Sequence, residues 1–280
     1  MRPTVTIQVV LYRSARHLPR LVAGLQHLEA DVDWQVRFLD NAPDDGCEAL
    51  LRRLQPSFPY SITASPRGNI GFGAGHNLLA ERAESAYLWF LNPDTVPFWD
   101  CLARLVARAE AVPRAGLVEA AQFPVEHPKA YDPESHCTNW CSGACLLART
   151  GVLRDLGGFD PRLFLYCEDV DLSWRCWMAG RECHYLPQAR CVHVTQEHDT
   201  GKDRSIEQRW MHVGALFLRA RHFGDAEVEQ YLGELSGSLD PGLLADVRAA
   251  FDAIRPREPA VPPHPRMSLA NAGVYGDARW

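Results

Sequence analysis

The sequence lacks the features of a membrane-spanning or nucleic-acid-binding protein. Its 280 residues contain no apolar run that approaches the ~20 residues needed to cross a bilayer. A basic excess is also missing, since 29 Lys and Arg face 35 Asp and Glu, for a net charge of −6. A chain that works on nucleic acid usually shows the opposite balance. The segment Met1–Leu11 has no long apolar core and no small-residue cleavage site, so we expect no signal peptide.

The cysteines show no disulfide or redox pattern. Their number, nine, is odd, and the chain is long enough to bury a core without crosslinks. We therefore expect reduced, mostly buried thiols and a cytoplasmic protein. Cys137, Cys141 and Cys145 are spaced like half of a zinc site, but no second close pair follows them. A zinc-stabilised interaction domain is therefore the least favoured interpretation.

The composition is that of an ordinary globular protein, with 46% hydrophobic and 23% charged residues. In the first part of the chain, β-rich apolar runs alternate with amphipathic segments. We expect strands at Thr4–Tyr12, Trp34–Leu39, Tyr60–Ala64 and Tyr87–Leu91. We expect helices at Ala15–Leu28, Cys47–Leu54, Ala74–Ser85 and Pro97–Ala111. This alternation predicts an α/β fold with a mainly parallel sheet covered by helices on both faces.

The second part of the chain follows a different pattern. A short apolar segment at Cys141–Ala148 precedes helices that we expect at Glu168–Ala179, Ser205–Phe223 and Ala226–Ile254. Within the second of these, the Trp210–Arg221 stretch has apolar and basic residues that would suit a membrane surface. Such a stretch is more often a core-facing helix, which we expect here. The Pro-rich segment Arg255–Arg266 predicts an extended or poorly ordered tail.

Acidic residues follow two of the predicted strands. Asp40 and Asp94 each come after a strongly apolar run, where open α/β sheets bind ligands. Taken singly, each is more typical of a turn or a helix N-cap. The turn that ends in Asp94 would present a carboxylate to Mg²⁺ or Mn²⁺, which favour carboxylate and phosphate oxygens. The Gly-rich segment Gly68–Asn77 fits a nucleotide loop or, equally well, a tight turn into a helix.

The segment Phe164–Arg175 contains three carboxylates in four residues among aromatic neighbours. Asp171 and Arg175 are four residues apart and can pair on a helix face. Glu168 and Asp169 remain, either as a general base in an apolar mouth or as residues that stabilise a helix N-terminus. We favour the general base. His193 follows a strand-like stretch, and a histidine near a carboxylate metal site is a plausible further ligand.

These motifs, in their order, resemble those of the inverting GT-A glycosyltransferases of family 2, in the rhamnosyltransferase-like branch. The resemblance runs from about Val5 to Gly224. It is carried by six motifs, which are V-V-L-Y at the first strand, D-N-A-P-D-D-G at 40–46, N-I-G-F-G-A-G-H-N at 69–77, L-N-P-D at 91–94, G-A-C-L-L-A-R at 143–149 and G-G-F-D-P-R-L-F-L-Y-C-E-D-V-D-L at 157–172.

The resemblance implies a role for each matching residue. Asp169 would be the base that deprotonates the acceptor hydroxyl. Asp94 would bind Mg²⁺ or Mn²⁺ through the donor diphosphate, and His193 would be a further metal ligand. The nucleotide-binding residues would be Tyr12, Asp40, Asn41, Asp45, Asn69, Gly71, Gly73, Asn77 and Asn92. The acceptor pocket would include Trp140, Gly143, Tyr166, Glu168 and Arg175.

The chain departs from the family pattern at two places near the metal. Asn92 stands at the first position of the D-x-D motif, which leaves one carboxylate there. The run after His193 also differs from the usual one, so His198 competes with His193 for the role of metal ligand.

The resemblance implies a GT-A fold with a small acceptor-side subregion. Residues 1–112 would bind the nucleotide sugar and residues 113–224 the acceptor, followed by a helical extension at 225–254 and a Pro-rich tail at 255–280. The donor would be a nucleoside-diphosphate sugar, with dTDP-rhamnose as the first guess, and the acceptor a hydroxyl on a glycan or a lipid-linked glycan. Peripheral association with the inner face of a membrane and a homodimer are both compatible with the sequence. The alternative function is a catalytically silent nucleotide-sugar-binding or scaffold module.

Overall fold

The computed structural model describes residues 2–194, 205–258, 260–270 and 272. Its strands are β1 Thr4–Leu11, β2 Asp33–Asp40, β3 Tyr60–Ala64, β4 Tyr87–Leu91, β5 Thr95–Pro97, β6 Ala115–Phe123, β7 Cys145–Arg149 and β8 Glu182–His193. Its helices are α1 Leu18–Gln26, α2 Cys47–Leu54, α3 Phe72–Ala80, α4 Cys101–Ala111, α5 Thr150–Asp155, α6 Glu168–Met178, α7 Ser205–His222, α8 Asp225–Ser236 and α9 Pro241–Ile254.

The strands form one eight-stranded sheet in the order β3-β2-β1-β4-β7-β6-β8-β5. The pairs β3–β2, β2–β1, β1–β4 and β6–β8 are parallel, and the pairs that involve β7 or β5 are antiparallel. The predicted mixed α/β fold is therefore confirmed, with four of the seven pairings parallel. Because β7 is antiparallel to β4 and β6, its first residue, Cys145, lies at the edge of the sheet where β1, β2 and β4 end.

Apolar residues cover both faces of the sheet. Strand β1 is buried along its whole length after Thr4, which explains its nearly continuous apolar sequence. One face packs against α1, α2 and α4. The other face packs against residues of α3, α5 and α6 in two further clusters. The GT-A-like sheet thus leaves one edge, at the ends of the parallel strands, to carry polar groups.

The helices after residue 205 form a separate apolar cluster. Buried residues of α7, α8 and α9 pack together there. Residues Val213–Leu218 of α7 are buried, so the expectation of a core-facing helix is confirmed. No helix in the described residues is both long enough and apolar enough to span a membrane.

The predicted single helix Ala226–Ile254 is wrong, because it is two helices. Helix α8 ends at Ser236, and α9 begins at Pro241. Pro241 has no N–H to continue a helix that comes before it, and the Asp240 side chain accepts hydrogen bonds from the N–H groups of Gly242 (2.8 Å) and Leu243 (3.3 Å). The sequence therefore carries a complete helix start in the middle of the expected helix.

Strand β6 has no counterpart among the predicted elements. Its sequence, A-G-L-V-E-A-A-Q-F, is rich in Ala and Gly, which are uncommon in strands, and contains Glu119 and Gln122. Both polar side chains are nonetheless buried. In the tail, the described residues form no helix or strand, as expected, but Met267 is buried against Trp140 and Trp174.

Candidate active site

Polar residues converge where the parallel strands end. Leu11 of β1 pairs with Asp40 of β2, and Val9 pairs with Leu91 of β4. The residues that follow, Tyr12, Asn41 and Asn92, therefore share one edge of the sheet. The sequence-predicted nucleotide residues from three separate motifs are brought together there.

An open cleft of roughly 480 Å³ lies at this edge, lined by Tyr12, Arg13, Ala42 and Asp45. Two polar atoms in the neighbouring strand ends, Asn41 Oδ1 and Ser65 Oγ, are buried without a hydrogen-bond partner among the described residues. Such atoms are costly to leave unpaired, so they indicate a ligand. Sequence reasoning missed Arg13, whose backbone has a φ of +52°.

The two aspartates of the nucleotide motif, Asp40 at the end of β2 and Asp45 five residues later, also stabilise the local backbone. Asp40 Oδ1 accepts from the N–H of Ala42 at 2.9 Å, and Asp45 Oδ1 accepts from the N–H of Cys47 at 2.9 Å. The alternative interpretation of Asp40 as a turn residue therefore describes part of what its carboxylate does. Asp45 Oδ2 is buried without a hydrogen-bond partner among the described residues.

The Gly-rich loop is held mainly by close packing. Asn69 Oδ1 accepts from the N–H of Gly71 at 3.0 Å, and Asn41 Nδ2 donates to the Gly71 carbonyl at 3.2 Å. A Cβ on Gly73 would lie 2.8 Å from Phe159. The amide of Asn77 donates to the carbonyl of Phe159 (2.8 Å) and accepts from its N–H (2.9 Å). The geometry thus favours a packing role for Gly73 and Asn77, and their contact with a nucleotide stays a prediction.

Asp94 and His193 meet across the sheet edge. Strand β5 pairs with β8 so that Thr95 lies opposite His193. His193 Nε2 is 3.3 Å from Asp94 Oδ1 and 3.3 Å from Asn92 Nδ2. On its other side, His193 Nδ1 is 2.6 Å from Gln122 Oε1. Since a carboxamide oxygen can only accept, Nδ1 carries a hydrogen in this arrangement, and in the neutral ring Nε2 presents a lone pair.

This pair of groups fits a divalent cation. Burial acts to raise the pKa of Asp94, but the hydrogen bond and charge of His193 outweigh it and hold that pKa below its usual value. A proton on Nε2 satisfies the Asp94 carboxylate in the charged form of His193. In the neutral form the carboxylate oxygen and the Nε2 lone pair are both acceptors, and a cation between them would satisfy both. The carboxylate suits Mn²⁺ or Mg²⁺, and the imidazole would be the further ligand.

Asp169 lies at the start of α6 beside the beginning of β7. Gly143 donates its N–H to Asp169 Oδ2 at 2.9 Å, and Val170 donates to Oδ1 at 2.8 Å. A Cβ on Gly143 would lie 3.0 Å from the Phe72 ring, so the absence of a side chain lets this peptide approach. Two backbone donors therefore fix the orientation of the carboxylate.

The adjacent Glu168 has a different environment. It is buried, and its Oε2 has no hydrogen-bond partner among the described residues. Burial, together with the charge of Asp169, raises the pKa of Glu168 well above its usual value. Glu168 thus keeps its proton more readily than an ordinary glutamic acid side chain.

An unusual backbone turn comes directly before Glu168 and Asp169 and sets the direction in which their side chains leave the helix. Tyr166 and Cys167 have φ angles of +67° and +68°, in the left-handed region that non-glycine residues rarely adopt. Helix α7 supports this turn from behind, because a Cβ on Gly214 would lie 2.7 Å from the Tyr166 carbonyl oxygen. Backbone strain of this kind is characteristic of functional sites.

Two predicted acceptor residues have structural contacts. Arg175 donates to Asp171 Oδ2 at 2.7 Å and to the carbonyls of Leu156 and Gly158. The i,i+4 pair expected from the sequence is therefore present. Trp140 is buried, with Lys129 Nζ 3.6 Å from its ring centre. Contact of Arg175 or Trp140 with an acceptor stays a prediction.

The turn that carries Asp94 and the helix that carries Asp169 are bonded to two consecutive residues. Asn92 donates its N–H to the carbonyl of Ala144 at 2.9 Å, and Gly143, the preceding residue, donates to Asp169. The turn that carries Asp94 and the helix that carries Asp169 are thus attached to the same short segment before β7.

Cys137, Cys141 and Cys145 do not form a group of potential metal ligands within the described residues. Within the described residues, the one group of three ligand types close enough to share an ion is Cys137, Glu182 and His184. Arg108 Nε donates to His184 Nδ1 at 3.0 Å, so His184 Nε2 carries the hydrogen and donates to Glu182 at 3.0 Å. The lone pair that a metal needs is therefore absent. All nine cysteines are free and buried, as expected. His198 lies outside the described residues.

Family models match most of the chain. The model described as "Glycosyl transferase family 2" matches residues 6–146, and "Glycosyltransferase like family 2" matches residues 134–212. The chain belongs to glycosyltransferase family 2. It is a glycosyltransferase, and the family resemblance inferred from the motifs is confirmed.

Two rhamnosyltransferases are similar to this family 2 enzyme. The N-acetylglucosaminyl-diphospho-decaprenol L-rhamnosyltransferase of Mycobacterium tuberculosis is 27% identical over 271 residues, covering 80% of this chain and 87% of that protein. Rhamnosyltransferase WbbL of Escherichia coli is 27% identical over 186 residues, covering 54% of this chain and 70% of its own.

A solved structure shares the fold. The mannosyltransferase PcManGT from Pyrobaculum calidifontis, solved with GDP-Man and Mn²⁺, has a TM-score of 0.63 at 18% identity. The match covers 90% of this chain and 75% of that one. At this identity it shows the fold alone, which agrees with the expected GT-A architecture.

Proposed function

We propose that this protein is a metal-dependent inverting glycosyltransferase that moves a sugar from a nucleoside diphosphate to a hydroxyl group of a lipid-linked glycan. The observation that carries the proposal is the attachment of the Asp94 turn and of Asp169 to the adjacent residues 143 and 144. One group suited to a cation and one suited to a base are thereby held by the same short segment of the chain. Rhamnose is the proposed sugar, since two similar proteins are rhamnosyltransferases.

Each half of the chain has its own part in the proposed reaction. Residues 1–112 bind the donor, with Tyr12, Asn41 and Asp45 at the nucleoside. Asp94 and His193 hold Mg²⁺ or Mn²⁺. When bound, the metal stabilises the negative charge that develops on the leaving diphosphate.

Residues 113–224 bind and activate the acceptor. Asp169, held by Gly143 and Val170, takes the proton of the acceptor hydroxyl. The oxygen of that hydroxyl attacks the anomeric carbon of the donor sugar at the same time. A single displacement on the face opposite the leaving group inverts the anomeric configuration. Glu168 contacts the acceptor as a neutral group that can donate a hydrogen bond.

The acceptor proposed is a sugar linked through diphosphate to a polyprenol. This class is the one in the name of the mycobacterial relative, which matches 80% of this chain. The donor side is tested first, by thermal shift against nucleoside diphosphates and their sugars with and without Mn²⁺. A ligand that binds only the native state at 100 times its Kd adds about 2.7 kcal/mol of stability. We expect a Mn²⁺-dependent shift selective for one nucleotide, dTDP being the first candidate.

Transfer itself is tested with dTDP-rhamnose and N-acetylglucosamine diphosphate on a short polyprenol. Product with the inverted linkage supports the proposal. Donor binding without turnover on this or any other acceptor would favour the scaffold module instead. No shift with any nucleotide would contradict the proposed donor site.

A further inference from the structure

A network of buried polar side chains extends from the Nδ1 side of the His193 ring. Lys129 Nζ is 2.8 Å from Glu119 Oε2, and their side chains are 3% and 0% exposed. Gln122 Nε2 donates to Glu119 Oε1 at 3.3 Å, and Gln122 Oε1 faces His193 Nδ1 at 2.6 Å. An ammonium and a carboxylate placed this deep are costly to desolvate, so their retention here calls for a reason.

The direction of each hydrogen bond in this network follows from chemistry when Glu119 is ionised. Burial raises the pKa of Glu119 to about 8, against the lowering effect of Lys129, so the ionised form is the main one above that pH. An ammonium can only donate, and it faces the carboxylate of Glu119. The carboxylate of Glu119 is then the acceptor for the side-chain NH₂ group of Gln122. The side-chain amide oxygen of Gln122 is therefore turned toward His193. That oxygen can only accept, so His193 must place its hydrogen on Nδ1. The lone pair on Nε2 is consequently directed toward Asn92 and Asp94.

The same carboxylate also reaches the base side of the site. The N–H of Ser142 donates to Glu119, and Lys129 donates to the carbonyl of Trp140 at 3.2 Å. Both contacts brace the segment that ends in Gly143, whose N–H holds Asp169. Glu119 is therefore bonded to both parts of the proposed site without being exposed to it.

We propose that Glu119 and Gln122 are positioning residues, which fix the Nδ1–H tautomer of His193 and so present its Nε2 lone pair to the metal. The proposal rests on the proposed function in one respect, the assignment of His193 as a metal ligand. Partners of a ligating histidine act in this way in metal sites, where their loss costs about 10–100-fold in metal affinity or activity.

The tautomer is measured in the metal-free protein. Nitrogen-15 spectra of protein labelled at histidine distinguish Nδ1–H from Nε2–H, and His193→Ala assigns the signal. In spectra recorded at about pH 8.5, we expect the neutral ring of His193 in the Nδ1–H form. Gln122→Met should shift it toward the Nε2–H form. An Nε2–H tautomer in the wild-type protein would overturn the proposal, and this result does not depend on whether the protein binds metal or transfers sugar.

Metal affinity is measured by titration of Mn²⁺ in the presence of dTDP. We expect Gln122→Met to weaken Mn²⁺ binding about 10–100-fold. The chain offers a matched control, because the side-chain amide of Gln8 lies 3.2 Å from Nδ1 of another buried histidine, His76. Gln8→Met makes the same substitution beside a histidine outside the site and should leave Mn²⁺ affinity unchanged.

A double variant separates positioning from a general structural effect. In the His193→Ala background, Gln122→Met should weaken Mn²⁺ binding no further. An equal further loss there, or wild-type affinity in Gln122→Met alone, would overturn this inference and leave the proposed function intact. A wild-type protein without Mn²⁺ affinity would instead overturn the proposed metal site, and the inference with it. If Gln122→Met fails to fold, the pair Glu119→Leu with Lys129→Met removes the acceptor of the Gln122 NH₂ group together with the buried ammonium, and it should show the same loss.

Discussion

Two buried histidines in this protein each lie beside a glutamine, but their surroundings differ in every other respect. His76 is fully buried, with Gln8 at 3.2 Å and the rings of Phe72, Phe90 and Phe159 around it. Its Nε2 has no partner among the described residues. Burial lowers the pKa of His76 to about 3, so the ring stays neutral and serves the core.

His193 has polar groups on both sides of its ring. Gln122 fixes Nδ1, while Asn92 and Asp94 face Nε2. The comparison teaches that burial and a glutamine neighbour do not distinguish a core histidine from a ligand. The proposed ligand His193 differs from His76 in the carboxylate that faces its second ring nitrogen.

A third buried histidine refines this conclusion. His222 Nε2 lies 3.1 Å from Asp171, so it also faces a carboxylate. Arg175 and Arg221 contact the same carboxylate at 2.7 and 3.3 Å, and its charge is therefore already compensated. Asp94 lies beside His193, and the charge of His17 also lowers its pKa. Within the described residues no arginine ion pair with Asp94 is found, which is compatible with the proposed metal there.

The largest expected effect comes from the base, whose loss must be separable from loss of the metal. We expect Asp169→Asn to lower the transfer rate about 100–10,000-fold, because the acceptor hydroxyl loses its proton acceptor. Binding of dTDP with Mn²⁺ should persist, since Asp94 and His193 are untouched. Steady-state kinetics and thermal shift on the same preparation check both. Transfer at the wild-type rate would remove Asp169 from the role of base.

The next largest effect is expected on stability, at Asp171, whose carboxylate contacts two arginines. Asp171→Asn should lower the free energy of unfolding by about 3–5 kcal/mol, because Arg175, Arg221 and His222 then surround an uncharged group. Urea unfolding at pH 7 measures the loss. A change below 1 kcal/mol would mean that this network is not what joins α6 to α7.

The pH dependence of the same variant follows from the Asp171 pKa. Burial acts to raise that pKa, but Arg175, His222 and Arg221 outweigh it and hold it below the ordinary value of 3.8. The stabilisation is therefore present above the unfolded-state pKa and is lost as the pH falls through the folded-state pKa. Below pH 4, the unfolding free energy of Asp171→Asn should consequently fall less steeply than that of the wild type.

The variant His193→Ala tests the same comparison at the proposed metal ligand. We expect transfer to fall about 10–100-fold and the Mn²⁺ concentration for half-maximal activity to rise, because one metal ligand is lost. Unfolding stability should change less than in Asp171→Asn. Unchanged Mn²⁺ dependence would transfer the ligand role to another group, and His198 would be the next residue to substitute.

The smallest effect is expected at His76. His76→Leu replaces a neutral ring in an apolar site with an aliphatic group, so we expect a stability change below about 1.5 kcal/mol. Transfer and Mn²⁺ dependence should stay within about threefold of the wild type. A loss of Mn²⁺ affinity comparable to that of His193→Ala would show that the two histidines are not as different as their surroundings indicate.

Much of the first half of the molecule could be predicted from its sequence. The apolar runs of β1 and β4 and the spacing of α1 identify these elements because each is defined by local burial. Asp40 and Asp94 could be located because parallel strands end at one edge. The order of the motifs then gave the family, which single motifs did not.

The remainder depends on contacts between distant residues. Gln122 lies in a strand that resembles a helix or loop in composition, and its partner His193 is 71 residues away. No local pattern marks such a pair. Asn77 and Arg175 show the converse case, since both occur in motifs of the family, yet their polar groups contact the backbone of the loop around Phe159. A motif thus predicts where a residue lies more reliably than what it contacts.

The reversed direction of β7 has a consequence for how the site tolerates change. The segment before β7, rather than the one after it, lies where the parallel strands end, and in the proposed mechanism the neighbouring peptides at Gly143 and Ala144 would set the distance between the leaving group and the acceptor. An insertion of one residue there would alter the separation of the two reacting partners by a full step of the backbone. Variation in length is therefore expected to accumulate in other segments of the chain, and the spacing across these two peptides sets the reach of the reaction.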